Sequence, residues 1–424
     1  MWNVDSFALP PAEGVYLVGG CVRDLLLGRR PADIDLVVLG DARAYAQSVA
    51  AARGGRLVEI GRDPFRLYRV AAAGELIDVS PAAGGAGIRE DLRCRDFTIN
   101  SLAVNIVSGE LIDISAGRAD LAAGAIRMVS PGVFRADPVR LIRAFRLAAQ
   151  FGFGIEPLTL AAVARDAAWL ADAAGERIRD ELFKLLASDA DLPALEQMQS
   201  TGLLAALFPE LTGLPPGSGI RRGLEVLRCL TIRCKEAAAE FVDLRAALEH
   251  ALDARVRVLL HLAALLYPLP DAARPAQRLK LSTRDADRLA TLLRHRGQPR
   301  RLFELPQPAP REATRLFRLA GGLTPGLLLL AEADLMADPD AAGSSAGFLA
   351  FTAELLRRYV RVYLPALRAS RPVSGEELMR EFGLSPSPLI GDLLDVLDVE
   401  RLSQGGLERE AALRLAAAFL KSRA

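Results

Sequence analysis

Lysine is nearly absent from this 424-residue chain: Lys184, Lys235, Lys280 and Lys421 are the only four, so 49 of the 53 basic residues are arginine. GC-rich codon usage produces such a bias. It also supplies guanidinium forks, which suit planar phosphate and base contacts better than ammonium groups do. Histidine is as scarce (His250, His261, His295), and the four cysteines, Cys21, Cys94, Cys229 and Cys234, form no CxxC pair. No zinc-ligand spacing results, so no zinc site is expected. Scattered thiols fit a reducing compartment. The formal net charge of +1 gives no global argument for a nucleic-acid partner, although charge can be segregated among domains. Long apolar runs are missing too. The richest, Leu327 to Ala331, is soon interrupted by Glu332 and Asp334, so no membrane span is expected. Met1 to Asp5 lacks the basic and apolar regions of a signal peptide, and a cytoplasmic location is the expectation.

What is present describes a globular chain: 51% hydrophobic and 25% charged residues. Its length suggests roughly two to four domains. To about residue 125 the pattern is mixed α/β. Short β-branched or aromatic runs predict strands at 15–18, 34–39, 57–60, 66–71, 75–79 and 103–106, with helices at 20–27 and 41–53. This predicts one compact sheet with helices on one side. Beyond about residue 130 helix periodicity takes over, strongest at 140–150 and 174–187. Pro and Gly clusters at 209–219, 268–275, 298–311 and 337–346 punctuate the remainder.

Four constellations carry chemistry. In the first, the apolar strand Val15-Tyr16-Leu17-Val18 enters a Gly19-Gly20 turn, a short helix follows, and Asp33-Ile34-Asp35 opens the next strand. Alternate residues of a strand point to one face, so Asp33 and Asp35 converge. Paired carboxylates with room for substrate phosphates suit Mg²⁺, and the glycine turn lets the backbone approach a phosphate. The competing reading of Asp33 and Asp35 is a solvated strand start. In the second, Asp78 sits in the apolar strand Leu76-Ile77-Asp78-Val79, which should neighbour the Asp35 strand; the competing reading is a strand-end aspartate facing water. In the third, Arg93-Cys94-Arg95-Asp96-Phe97-Thr98-Ile99-Asn100 places an arginine beside an aspartate, suited to a phosphate and a ribose hydroxyl respectively, or to a helix cap. In the fourth, Asp137-Pro138-Val139-Arg140 opens a helix. Asp137 is a natural N-cap, and it also shares a face with Arg140 three residues on. A carboxylate accepts from the amino groups of C and A, and a guanidinium donates to their ring and carbonyl acceptors. The carbonyls of G and U would meet the carboxylate instead. A fixed Asp137/Arg140 pair could thus select C and A without a nucleic-acid template. Arg143 and Arg146 continue the same face, either toward the triphosphate or the RNA backbone or as a solvated basic stripe.

These residues resemble the class II tRNA nucleotidyltransferase and bacterial poly(A) polymerase family, within the polymerase-β-like nucleotidyltransferases. The matches run in order through Gly-Gly-x-Val-Arg-Asp, Asp-x-Asp, Arg-Asp-Phe-Thr-Ile-Asn, Asp-Pro-x-Arg-x-x-Arg-Ala-x-Arg and Gly-Glu-Arg-Ile-x-x-Glu-Leu. Leu207 to Leu211, and Ser374 to Gly391, look like its body and tail segments. The resemblance implies an α+β fold: a nucleotidyltransferase head with a small mixed sheet (1–128), then an all-α neck that recognises the base (129–190), body (191–330) and tail (331–424). It implies that Asp33 and Asp35 are the metal carboxylates and Asp78 the third acidic catalytic position. Gly19, Gly20 and Arg23 would lie against the triphosphate. Arg95, Asp96 and Asn100 match the segment that contacts the nucleotide and its ribose. Asp137 and Arg140 match the amino-acid template that reads the base, with Arg143 and Arg146 beyond it. Arg177 and Glu181 would support the site by ion pairing.

The implied activity is template-independent addition of C and A from CTP and ATP to the tRNA 3′ end, with Mg²⁺ as cofactor and pyrophosphate as product. Poly(A) polymerase, CC-only addition and A-only addition are the alternatives within the family. A non-catalytic RNA-binding scaffold is the alternative outside it. Three departures bear on base choice. Cys94 and Ala136 stand where the family usually has Arg and Glu, and the loop from Ala82 to Gly87 is short and Gly-rich. Relatives often carry a His-Asp hydrolase site in the body. Here Tyr267-Pro268 stands in its place, so a helical scaffold is expected there. The motifs carry no signal for oligomeric state.

Overall fold

The computed structural model describes residues 7–61, 66–82, 87–188, 191–215, 217–306, 309–341 and 345–423. The signal-peptide reading at Met1 to Asp5 and the centre of the Ala82–Gly87 loop lie outside the described residues. The chain divides into two compact units, Met1–Leu207 and Phe208–Ala424.

The first unit opens with a seven-stranded sheet. Its strands are β1 (Val15–Val18), β2 (Ile34–Val38), β3 (Arg56–Ile60), β4 (Leu67–Ala72), β5 (Glu75–Pro81), β6 (Leu102–Asn105) and β7 (Leu111–Asp113), in the spatial order β3-β4-β5-β2-β1-β6-β7. β2 and β5 are parallel neighbours, and the other pairs are antiparallel. The six expected strands are present within two residues of their expected bounds. β7 is three partly buried residues, too short for alternation to reveal.

Helices cover both faces of the sheet, not one. α1 (Gly20–Leu26) and α2 (Ala42–Arg53) bury Cys21, Val22, Tyr45, Ala46 and Val49 against Leu17, Leu36, Val38 and Ile77. On the opposite face α3 (Ile88–Arg93) sets Ile88 and Leu92, one helical turn apart, on Val18, Val37 and Ala103. Asp35 is two residues from Val37, so it belongs to the α3 face. Six residues with only two apolar anchors give α3 too weak a period to be read as a helix.

The same unit continues through α4 (Gly117–Ala123), the two-stranded parallel ladder β8 (Ala125–Ile126) and β9 (Gly154–Ile155), α5 (Val133–Ala136), α6 (Arg140–Phe151), α7 (Pro157–Asp166) and α8 (Gly175–Leu186). In α6 the buried set Leu141, Ile142, Ala144, Phe145 and Leu147 follows helical spacing, and Gly152 at φ 69° ends it.

The second unit is helical throughout its described residues. Its helices Ile220–Glu240 and Ala254–Leu265 cross at Gly223, where an added Cβ would sit 2.0 Å from the Leu265 carbonyl oxygen. Arg233 and Glu332 form a buried ion pair at 2.8 Å. Tyr267 lies over Arg296, and burial with the neighbouring Asp334 pushes its hydroxyl pKa upward. The stretch Pro310–Met336 is long and apolar enough, by length and composition alone, to cross a membrane, but most of it is buried inside the unit. The 3₁₀ turn Gly321–Leu323 breaks it into the helices Pro310–Ala320 and Thr324–Met336. At the C-terminal end Val373, Leu378, Leu393, Leu397, Ala412 and Ala416 form a separate small core.

Candidate active site

The sheet brings the three acidic positions together. Asp33 is exposed one residue before β2, Asp35 is the second residue of β2, and the β2–β5 register sets Asp35 opposite Asp78. Burial pushes the Asp35 carboxyl up to about 6; the Arg95 guanidinium opposes that, while Asp78 and Asp33 add to it. A carboxylate raised in this way gains most from a cation beside it. Among the described residues no three His, Cys, Asp or Glu side chains close a metal site by themselves. Two carboxylates with remaining positions left to substrate oxygens fit a divalent ion of the kind that keeps phosphates as ligands. The donor set is therefore adequate for such an ion.

Asp78 already has a partner. Arg69 donates from Nε and Nη2 to its two oxygens at 2.8 and 2.7 Å. The signal was available in the sequence. Ala73 (φ 50°) and Gly74 (φ 81°) make a two-residue hairpin turn, and counting back from it sets Arg69 opposite Asp78. The row Asp35, Asp78, Arg69 thus crosses three adjacent strands.

The glycine turn lies directly beside the carboxylates. Gly19 has φ 66° and ψ −131°, and its N–H donates to the Leu102 carbonyl. A Cβ at Gly19 would stand 2.6 Å from Arg95 Nη1, so the missing side chain is the space the guanidinium uses. Asp91 accepts from Arg95 Nε and Nη2 at 3.1 and 3.0 Å and aims it there. Arg23 is buried, not free at the turn. It donates to Asp24 and to Asn100 Oδ1, and lies 4.5 Å over the Phe151 ring.

From Asn100 the polar chain runs into the helices. Asp96 accepts from Asn100 Nδ2 (3.0 Å), the Phe97 N–H (2.7 Å) and Arg143 Nη1 (3.0 Å). Burial would raise the Asp96 carboxyl, but Arg143 and these donors hold it below the usual carboxylate range. Arg143 and Arg146 share the two oxygens of buried Glu181, at 2.8 and 2.7 Å. Burial alone would lower the Arg143 pKa; Asp96 and Glu181 outweigh it and raise it. The two arginines are thus paired inward, and neither forms a solvated stripe.

At the start of α6, Arg177 donates from both Nη atoms to Asp137, at 2.9 and 2.7 Å. Burial would raise Asp137, and the Arg177 fork holds it below its ordinary range. Arg140 Nη2 donates to the carbonyl of Cys94 at 3.0 Å, so only the backbone at position 94 is used there. Among the described residues Arg140 Nε is buried without a hydrogen-bond partner, and Asp137 Oδ2 is 3.7 Å away. Ala136, exposed beside it, offers no side-chain acceptor. An orphaned buried donor is costly unless a ligand completes it. The arrangement supplies one edge that accepts and donates, and a separate carboxylate cradle beside a glycine turn.

The chain is similar to known proteins over most of its length. A family model described as the poly(A) polymerase head domain matches residues 15–83 and 65–127. Another, described as a probable RNA- and SrmB-binding site of polymerase A, matches residues 152–214. The chain is 34% identical to the CC-adding tRNA nucleotidyltransferase of Geobacter sulfurreducens over 401 residues, covering 93% of this chain and 89% of that one. It is 32% identical to the A-adding tRNA nucleotidyltransferase of Deinococcus radiodurans over 446 residues, covering 95% of each. Among solved structures, the Thermotoga maritima CCA-adding enzyme complexed with tRNA superposes with a TM-score of 0.68 at 25% identity, covering 96% of this chain and 91% of that one. A CCA-adding enzyme in complex with CTP gives 0.70 at the same identity and coverage.

Proposed function

The chain belongs to the tRNA nucleotidyltransferase family, with the polymerase-β-like head of that family, and from that premise we propose that it adds C and A from CTP and ATP to the 3′ end of tRNA. The observation that carries base choice is the orphaned Arg140 Nε beside Asp137. A cytosine presents an amino donor and neighbouring acceptors on one edge, and adenine does likewise. Asp137 retains lone pairs outside the Arg177 fork for the amino group, and Arg140 supplies the donor. G and U would set a carbonyl against the carboxylate.

Asp33 and Asp35 would hold a divalent ion, Mg²⁺ in this reading, which when bound neutralises triphosphate charge and eases loss of the hydroxyl proton. The rest of the chemistry belongs to this chain's residues and the substrates. The terminal 3′-hydroxyl attacks the α-phosphorus, the bond to the bridging oxygen breaks, and pyrophosphate leaves. Gly19 and Gly20 let the backbone approach the triphosphate, and Arg95 balances its charge. Asp96, Asn100 and Arg23 hold the nucleotide segment in place, with Arg143 and Arg146 fixing it from α6. We assign 1–128 to the catalytic head, 129–190 to base recognition, and 191–330 and 331–424 to a scaffold and a tRNA-binding tail.

A narrower reading, CC addition alone, draws support from the Geobacter relative and from Ala136 beside the base-reading pair. The test uses tRNAs ending before CCA, after C and after CC, each offered CTP, ATP or both. Full activity extends all three to CCA. CC-only activity stops at the third tRNA, and repeated A addition identifies a poly(A) polymerase. No incorporation of any nucleotide overturns the proposal.

A further inference from the structure

Arg135 has no carboxylate partner among the described residues, unlike the other neck arginines at the site: Arg140, Arg143, Arg146 and Arg177 all lie by acids. Its guanidinium instead lies 5.0 Å over the ring of Trp169, which is 39% exposed. The segment bearing Trp169, the 3₁₀ turn Ala167–Asp172, is anchored by buried Ala167 and Leu170. Arg165, just before it, donates to the Pro131 carbonyl at 3.1 Å, which ties the segment to the loop leading into α5. Two pairs therefore leave the C-terminal end of α5, one to the 3₁₀ turn that precedes α8 and the other to the first turn of α8. One is Arg135 with Trp169. The other is Asp137 with Arg177, whose side chain is 53% exposed. Arg135 and Asp137 are two residues apart, so their Cα atoms are within about 7 Å, roughly two steps of stacked bases. The strip carries two exposed guanidinium groups and one carboxylate, which Arg177 already holds.

We propose that Arg135 and Trp169 form a stacking platform for the unpaired 3′ end of the RNA, holding it beside the base-reading pair. An RNA base takes the guanidinium's place on the indole, and the displaced Arg135 meets a backbone phosphate. A partly exposed aromatic ring with an arginine that has no acid to leave behind is the chemistry of sequence-tolerant single-strand binding. Sequence tolerance matters here, because the terminal base of the acceptor changes with each addition. This inference rests on the proposed function, since it takes that reaction's RNA as the ligand.

The experiment exploits the two tryptophans, Trp2 and Trp169. In a Trp2→Phe background, excited at the red edge where tyrosine does not absorb, only Trp169 emits. Titration with tRNA carrying an unpaired 3′ end quenches that emission, and tRNA trimmed to a blunt acceptor stem does not. Trp169→Ala and Arg135→Ala each raise the tRNA KM roughly 5- to 100-fold, as loss of one stacked base would, and leave the CTP KM unchanged. Trp169→Phe restores most of the loss. Circular dichroism confirms that the variants fold, as substitution of two exposed side chains should allow. Equal quenching by both tRNAs, or an unchanged tRNA KM in both alanine variants, overturns the platform while CTP incorporation still upholds the enzyme. Altered sedimentation with an unchanged tRNA KM would mark the patch as a contact between copies, and would equally overturn it. No incorporation by the parent protein defeats the functional proposal instead, whatever the quenching shows.

Discussion

Charges at the sheet and charges in the neck helices are handled in opposite ways. Around Asp137 and Glu181 every carboxylate is matched by guanidinium groups at hydrogen-bonding distance. Around Asp35 the carboxylates face one another, and the one that gains a fork from the protein is Asp78, not Asp35. The neck carboxylates are paired before substrate arrives, while among the described residues Arg140 Nε stays open, which suits a surface that must present one fixed hydrogen-bonding edge. The sheet site is incomplete, which suits a place where a cation and a triphosphate must bind and leave each turnover. The two are joined by one polar chain, from Arg23 through Asn100, Asp96 and Arg143 to Glu181.

The largest effect should separate the two regions most cleanly. Asp35→Asn removes a carboxylate that burial and its neighbours disfavour. Transfer of labelled CTP should fall by roughly 10³-fold or more, the scale of losing a central electrostatic contribution, while the melting temperature holds or rises. Retained incorporation would remove Asp35 from the chemistry. Glu181→Ala should do the reverse. It leaves Arg143 and Arg146 buried without their shared partner, at a cost of about 3–5 kcal/mol in folding stability, read from urea denaturation. A stability change within error would mean the neck network is not needed to hold α6 and α8 together.

Asp137→Ala comes next. It removes the acceptor for the base amino group and frees Arg177, so discrimination of C and A over G and U should fall by about 1–3 kcal/mol. Competition between labelled nucleotides measures it, and unchanged preference would end the amino-acid template reading. The smallest effect is in pH. The folded carboxyl of Asp35 titrates near 6, above its ordinary 3.8. Between those values the folded protein holds a proton that the unfolded chain has released, so Asp35 costs stability progressively as pH rises from about 4 to about 6. Asp96 and Asp137 are depressed and have the opposite sign. Their stabilisation is present above the ordinary carboxylate value and is lost as pH falls through their lower folded values. The wild-type minus Asp35→Asn melting difference isolates the first trend. It should grow more negative from pH 4 to 6.5 without divalent ions, and shrink when Mg²⁺ is added. A flat difference would show that Asp35 is not under strain.

Much of this could be read from the chain. Strand alternation put Asp33 and Asp35 on one face, and an apolar run around Asp78 marked the neighbouring strand. Helical spacing put Asp137, Arg140, Arg143 and Arg146 in line. What alternation and spacing do not reveal is what stands opposite. Arg143 and Arg146 turn inward because Glu181 lies 38 and 35 residues later on a helix whose packing against α6 no local pattern encodes. Two apolar residues, Ile88 and Leu92, are too few to set a period over α3, so the second covered face of the sheet leaves no pattern in the sequence. Arg69 was within reach, since the two-residue turn at Ala73-Gly74 fixes its register with Asp78.

Position 19 sets a limit on how this protein can vary. Its backbone takes a conformation suited to glycine, and the volume a methyl group would fill is held by the tip of Arg95. Every amino acid reachable from a glycine codon by one base change carries a Cβ. Each would strain the turn and push the guanidinium away from Asp35 together. Such a site has no mild alleles, so a saturation library should return glycine there and almost nothing else, while tolerating many substitutions a few residues along at exposed Arg30.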